Sequence, residues 1–462
     1  MSTWLASSFL SKDRIVAKPG FNRWLVAPAA LAVHLCIGQV YAFSVFNLPL
    51  TKVLGVTGSL PEDWKLTELG WIFSLAIMFL GLSAAFAGKW LEQVGPRVTM
   101  FCSALCFSGG FFIAAAGIEL HAIWLLYLGY GVLGGIGLGL GYVSPVSTLI
   151  KWFPDRRGMA TGLAIMGFGG GAMIGAPLGV LLMKHFASAT SVGVAETFMT
   201  MGGIYLVFMM IGAFTIRLPE EGWLPVNFQP DTRKNKLITD KHVHVEQVLK
   251  TPQFYLLWLV LCLNVTAGIG VLGQASAMSQ EMFKDQITPE KAAAFVGMLS
   301  FFNMGGRFFW STLSDYLGRK STYFTFFMLG CVLYSIVPYT GRMNNVWLFV
   351  GCYAVIMSMY GGGFSTIPAY LADIFGTQYV GAIHGRLLTA WATAGVAGPV
   401  LVNYLRQSQI DQGVPKADAY NMTMQIMAGI LVLGFFCNLG IKAVDEKHHL
   451  KHDQVNDEFD AA

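Results

Sequence analysis

Arg307 stands near the middle of an apolar stretch, Ala292 to Leu313, that holds no other charge. Arginine cannot shed its proton to escape burial, and its planar fork matches a carboxylate, so the first question is which anion neutralises it. A charge inside a hydrocarbon layer marks a substrate or ion path by default. Asn303 lies four residues earlier on the same helical face, where its amide can add a donor to a carboxylate held by the guanidinium. Few buried acids are available as internal partners, because Glu92 and Asp315 fall at the ends of their spans. A carried anion is therefore the leading reading. A structural arginine, paired with backbone carbonyls or an acid of another helix, is the competing one.

Residues at comparable depth elsewhere can complete a pocket: His34, Gln39 and Tyr41 in the first span, Tyr142 in the fourth, Asn264 in the seventh, Tyr360 in the tenth and Trp391 in the eleventh. Tyrosine and tryptophan offer apolar walls with one hydrogen-bonding tip each, which suits a small organic anion that must bind and also leave. His34 reads as a packing residue in preference to a proton relay.

The elements that must hold these residues follow from composition. Of 462 residues, 55% are hydrophobic and only 12% charged, the balance of a polytopic membrane protein. Crossing a hydrocarbon layer of roughly 30 Å takes about 20 apolar residues. Twelve stretches qualify, near residues 22–48, 69–90, 98–117, 122–150, 159–183, 197–216, 253–277, 292–313, 322–341, 346–371, 383–404 and 420–441. The first is long and lacks a small-residue cleavage site, so it is expected to be a retained helix, not a signal peptide. The seven cysteines all fall inside spans without C-x-x-C pairing and read as small buried hydrophobes.

With both termini on one side, 21 of the 30 Lys and Arg residues fall on that side, 8 on the other and 1 within the layer. The 21 include Lys151, Arg156, Arg157, Arg233, Lys234, Lys236 and Lys241. Both termini are expected to be cytoplasmic by the positive-inside rule. The net charge of +4 then describes leaflet bias and gives no reason to invoke nucleic acid.

The longest polar segment, Arg217 to Thr251 with Pro219, Pro225 and Pro230, divides the spans six plus six. The expected organisation is an N-terminal half at 1–216, an interhalf loop at 217–252, a C-terminal half at 253–441 and a tail at 442–462. The halves are related by duplication. Gly88-x3-Glu92-x2-Gly95-Pro96-Arg97 aligns with Ser311-x3-Asp315-x2-Gly318-Arg319-Lys320 at a shift of 223 residues, and the same shift carries Pro145 to Pro368, Gly158 to Gly381 and Gly162 to Gly385. Glycine faces in the fourth span (Gly129 to Gly141) and the fifth (Gly167 to Gly175) permit close helix approach and sliding.

Parallel repeats with a site at the midplane characterise the major facilitator architecture. The paired loops resemble that superfamily's signature between helices 2 and 3 and its copy between helices 8 and 9. The resemblance implies a gating role for Glu92, Arg97, Asp315, Arg319 and Lys320. The first copy departs from the pattern, with Glu92 where Asp is commoner and Pro96 inside the basic run. Within the superfamily, Gly38-Gln39-Val40-Tyr41-Ala42-Phe43-Ser44-Val45-Phe46, Gly137-Leu138-Gly139-Leu140-Gly141-Tyr142, Lys151-Trp152-Phe153-Pro154-Asp155-Arg156-Arg157-Gly158, Thr251-Pro252-Gln253-Phe254-Tyr255 and Asn264-Val265-Thr266-Ala267-Gly268-Ile269 together resemble the oxalate/formate antiporter family, bacterial relatives of monocarboxylate transporters.

The resemblance implies an all-α integral membrane fold of twelve helices in two six-helix halves, with carboxylate binding at Arg307. Oxalate exchangers of that family also use a lysine in helix 11. Here the stretch Leu388 to Gly395 holds none, and Arg386 lies about one turn earlier, near the helix end. One fixed cation matches one carboxylate, whereas a second carboxylate would be left unpaired at a cost of several kcal/mol. The expected cargo is a lactate-, pyruvate- or formate-like monocarboxylate moved by alternating access, with proton symport favoured over exchange. Oxalate/formate-type exchange and a non-transporting sensor of organic acids are the alternatives. The expected setting is a bacterial inner membrane and the expected state a monomer. No cofactor motif, nucleotide-binding motif, metal-ligand cluster or nucleophile and base pair emerges, so an enzyme is not expected.

Overall fold

The computed structural model describes residues 10–225, 237–239, 241–272 and 275–450. Pro230, Arg233, Lys234 and Lys236 of the interhalf loop, and the tail beyond residue 450, lie outside the described residues. Twelve long helical segments run through the bundle: α1 (Arg23–Ala42), α2 (Leu66–Val94), α3 (Pro96–Glu119), α4 (Ile123–Trp152), α5 (Arg157–Phe186), α6 (Val194–Thr215), α7 (Pro252–Leu272), α8 (Pro289–Leu317), α9 (Arg319–Arg342), α10 (Val346–Phe375), α11 (Val380–Asp411) and α12 (Asn421–Gly440). Among the described residues extended pairing is confined to two isolated bridges, Val16 with Leu218 and Val243 with His449.

Eleven of these helices are long and apolar enough to cross a membrane on length and composition alone. The twelfth is α8. Its 29 residues rise about 44 Å, ample for a bilayer, but Asn303 and Arg307 dilute its apolar character. The outer faces carry large apolar side chains, including Trp347 at 84% and Phe86 at 82% exposure, as lipid contact requires. This is an integral membrane protein.

Several helices depart from the continuous spans expected of the sequence. The first tightens into a 3-10 turn at Gly38–Ala42, where a Cβ on Gly38 would collide with the Phe168 backbone. The fourth widens into a π segment at Tyr127–Gly134, a form concentrated at functional sites. The eleventh is interrupted at Leu388, between Val380–Leu387 and Thr389–Asp411. All seven cysteines are unpaired and at least partly buried, as their positions inside spans implied.

The halves meet where α5 packs on α8 and α10, and α11 packs on α2 and α4. The glycines of α5 make the first contact possible. Side chains at Gly158, Gly162 and Gly169 would strike Ser311, the Arg307 carbonyl and the Arg307 side chain respectively. Close approach of two backbones at these positions brings Arg307 to the seam between halves.

Candidate functional site

Helix α8 delivers Arg307 to the seam with its side chain fully buried. Its Nε donates to Asn303 Oδ1 at 3.0 Å, one helical turn back, as their spacing on the sequence requires. Its Nη1 reaches the Ile165 carbonyl of α5 at 3.4 Å, a long and weak bond. Nη2 has no partner in the protein. Among the described residues, none of the ion pairs includes Arg307. A buried cation left this way costs several kcal/mol unless an anion joins it.

Two phenylalanines flank the guanidinium, Phe168 of α5 with its centroid 5.6 Å away and Phe364 of α10 at 5.3 Å. Cation–π attraction at such distances is worth about 0.5–2 kcal/mol each, enough to orient the group but not to replace a counter-ion. Trp391 of α11 packs against both rings, at 5.3 and 4.6 Å between centroids. Tyr142 lies 5.4 Å from Phe168 and 5.4 Å from Trp391. Tyr41 packs edge-on to Phe168 at 5.2 Å, and its hydroxyl meets that of Tyr360 at 3.5 Å across the two halves. The guanidinium lies within side-chain hydrogen-bond reach of both the Tyr41 and Tyr142 hydroxyl oxygens.

Trp391 Nε1 is buried without a partner, and the Tyr142 hydroxyl, whose oxygen faces the guanidinium, has no acceptor for its proton. Both, like Arg307 Nη2, can donate a hydrogen bond. Tyr142 and Trp391 both pack on the Phe168 ring beside the guanidinium.

The structure thus brings Arg307, Asn303, Tyr142, Tyr41, Tyr360 and Trp391 together. Gln39 is engaged elsewhere, accepting from Tyr130 at 3.0 Å and packing over Gly175. Asn264 points its unpartnered Oδ1 at Gly363, beside a cavity of about 20 Å³ that also touches Tyr360 and Tyr334. Phe168 and Phe364 were not singled out by the sequence reading. The available signal was context: each is a lone ring in a glycine run, Gly167-Phe168-Gly169 and Gly363-Phe364, and so the one large projection between close backbones.

The loops between α2 and α3, and between α8 and α9, turn at equivalent glycines with positive φ, Gly95 at 85° and Gly318 at 83°, a geometry that glycine adopts without strain. Asp315 accepts the backbone N–H groups of Gly158 and Met159, both at 2.8 Å, and so caps the first turn of α5 in the other half. Arg319 Nη2 donates to the same carboxylate at 2.6 Å. Its Nε donates to Asp373 at 3.1 Å, and Asp373 also accepts from Arg157 of the N-terminal half at 2.9 Å. Glu92 pairs with Lys151 at 2.8 Å, and its unpartnered Oε1 lies against Gly381, in the first turn of α11. Its carbonyl accepts from Lys12 at 3.1 Å. Burial, then repulsion from Lys151, holds the Lys12 ammonium below its ordinary pKa.

Arg97 and Lys320 do different work. Arg97 reaches the Phe214 carbonyl at 3.2 Å, and Lys320 the Leu439 and Ile441 carbonyls at 2.8 and 2.7 Å. Each braces the C-terminal end of the sixth helix of its own half, where the helix dipole favours a cation. Arg386 holds the interhalf loop, donating to the Val245 carbonyl at 2.8 Å.

The sequence model of the Major Facilitator Superfamily matches residues 29–399, with a second match over 266–454. The chain belongs to the major facilitator superfamily. This major facilitator is 27% identical over 379 residues to the oxalate:formate antiporter of Oxalobacter formigenes, covering 82% of the chain and 83% of the relative. It is 23% identical to the apicoplast pyruvate carrier 1 of Toxoplasma gondii, covering 93% of the chain and 91% of the relative. The fold matches that of the E. coli fucose:proton symporter FucP with a TM-score of 0.65 at 12% identity, over 89% of this chain and 97% of that one. Those proteins are transporters, and the all-helical fold expected of the sequence is the one observed.

Proposed function

We propose that this protein is a secondary transporter of small monocarboxylates of the lactate, pyruvate or formate type, working by alternating access between the two six-helix halves and coupled to protons. The observation that carries the reading is a fully buried Arg307 outside every ion pair among the described residues, set in one aromatic cluster with two further buried donors, Tyr142 OH and Trp391 Nε1. A carboxylate has acceptor oxygens only, so it satisfies such donors where water or a sugar hydroxyl does so less completely. The guanidinium provides one charge, Asn303 fixes its orientation, and Phe168, Phe364, Tyr41, Tyr360 and Trp391 wall a small apolar body.

The gating contacts lie on the terminal face, where the described chain begins and ends, with Lys12 bonded at Glu92 and Leu450 at His242. In this reading that face is cytoplasmic, the membrane is a bacterial inner membrane and the working unit is a monomer. Residues 1–216 and 253–441 act as the moving halves, joined by 217–252 and followed by the tail from 442. Asp315, Arg319, Asp373 and Arg157 lock the terminal face and release as the halves rock, with Glu92 and Lys151 as the weaker counterpart. Arg97 and Lys320 stiffen each half without crossing the seam.

Exchange of oxalate for formate is the second reading, favoured by the 27% identical relative. The single cation weighs against it, since the second carboxylate of oxalate would be stranded in the enclosure at a cost of several kcal/mol. Uptake of radiolabelled lactate, pyruvate, formate and oxalate into proteoliposomes separates the two. Preference for the monocarboxylates is expected; oxalate transported in preference to all three would defeat the proposal.

A further inference from the structure

Two buried histidines flank Tyr142 from opposite halves of the molecule. His34 of α1 packs edge-on to the Tyr142 ring at 5.4 Å, and His384 of α11 lies 5.8 Å from the same ring. Both imidazoles are at most 1% exposed. His34 Nε2 sits 3.2 Å from the Tyr142 carbonyl. A carbonyl only accepts, so Nε2 carries the proton of the neutral ring and Nδ1 holds the free lone pair. That nitrogen, and Nε2 of His384, make no hydrogen bond of ordinary geometry, and the His34 ring also faces the backbone of Ala164.

We propose that His34 and His384 together carry the proton that accompanies the carboxylate. The inference rests on the monocarboxylate reading and assigns its proton carrier. The groups facing the pair are Tyr142 from α4, which packs on both rings, Arg307 from α8 toward His34, and His34 toward His384; Glu92 of α2 approaches the same turn of α11 at Gly381.

Like charges repel, so an unpaired guanidinium at Arg307 and a second positive charge in the same enclosure stand in opposition. A carboxylate on Arg307 cancels that opposition and adds an attractive charge. Cargo and proton therefore favour each other's binding, which is the linkage that symport needs. A proton taken up by the anion-loaded site returns the net charge of the enclosure to that of the empty site. The transfer is a proton moving to an imidazole nitrogen and leaving on the far side, with no other bond made or broken. Placement on separate halves gives the pair a means to be parted as the halves rock.

The experiment uses the full chain in proteoliposomes, with labelled lactate as the probe, in two assays. Counterflow between equal pools reports binding and reorientation without a driving gradient; accumulation under an imposed pH gradient reports coupling. A one-unit gradient supports about tenfold accumulation when one proton moves per carboxylate. His34→Gln with His384→Gln is expected to retain counterflow and lose the accumulation, falling to the equilibrium level. Accumulation retained by the double variant overturns the assignment. Wild-type counterflow without any gradient-driven accumulation also overturns it while leaving monocarboxylate transport standing, and wild-type chain without carboxylate counterflow sinks both. Proton uptake by the detergent-purified wild-type chain on adding lactate, read with a pH indicator, does not depend on whether variants fold. About one proton per lactate is expected, and none overturns the inference.

Discussion

Asp315 caps the first turn of α5, in the half to which it does not belong, through N–H bonds of 2.8 Å from both Gly158 and Met159. Its repeat-related counterpart Glu92 reaches the equivalent turn of α11 beside Gly381. Each half thus sends a carboxylate into the other's helix N-terminus, and the two contacts cross the seam about one pseudo-twofold axis. They are unequal. Asp315 is tied to two amides and Arg319, whereas Glu92 keeps one oxygen without a partner.

Asp315→Asn should therefore open the terminal face more readily than Glu92→Gln. Charge-assisted bonds contribute about 1.5–3 kcal/mol, so the equilibrium should move by roughly 10- to 100-fold for Asp315. Amide hydrogen exchange over the first turn of α5 reads the change directly. Equal protection there in the Asn variant and the wild type would contradict the gate.

The same seam makes Gly158 irreplaceable for closure. A Cβ there would strike the Ser311 carbonyl and lie 2.9 Å from Asp315 Oδ1. Gly158→Ala is expected to favour the state open on the terminal face, raising the labelling rate of a cysteine introduced at a gate position. Gly297, with nothing near its absent side chain, serves as the control, and Gly297→Ala should leave the rate unchanged.

The Tyr142 and Trp391 donors can be removed while an aromatic ring is kept at each position. Tyr142→Phe deletes the hydroxyl, and a neutral hydrogen bond to a carboxylate is worth about 1.5 kcal/mol or more, so KM for lactate should rise roughly tenfold or somewhat more. Trp391→Phe deletes Nε1 and some ring area together, and the rise should be at least as large. Maximal rate should change less than KM in both. An unchanged KM in Tyr142→Phe would show that its hydroxyl does not face the cargo.

Arg97→Ala and Lys320→Ala should behave as stability variants. Each removes a cation from a helix C-terminal end, a loss of about 0.5–2 kcal/mol. A lower melting temperature with KM for lactate unchanged is the expected pattern, read by thermal unfolding in detergent alongside transport.

The polar centre was legible in the sequence because Arg307 and Asn303 stand out against an apolar span, and the spacing of four alone placed them on one face. The duplicated loops exposed Glu92 and Asp315 for the same reason, since charge is scarce in this chain. What escaped was whatever depends on which half a side chain faces. Lys151 and Arg157 read as ordinary leaflet charges, and Asp373 was overlooked, until packing turned them into partners across or along the seam. Phe168 and Phe364 are two of 34 phenylalanines, and nothing in their type marks them as the walls of a cationic site. The helix interruptions at Gly38–Ala42 and Leu388 sit at close helix contacts, Gly38 against the Phe168 backbone and the Leu388 carbonyl beside Gly81, that no local pattern records.

In the proposed function Arg307 holds the carboxylate of the cargo. Counterflow of labelled lactate should be measured for wild type, Arg307→Lys and Arg307→Ala reconstituted at equal density, each verified as monodisperse beforehand. Loss of a buried charge partner costs about 3–5 kcal/mol, so Arg307→Ala should lose at least 100-fold in apparent affinity, with Arg307→Lys intermediate because the charge survives and the fork does not. Lactate counterflow in Arg307→Ala at the wild-type affinity and rate would contradict that role.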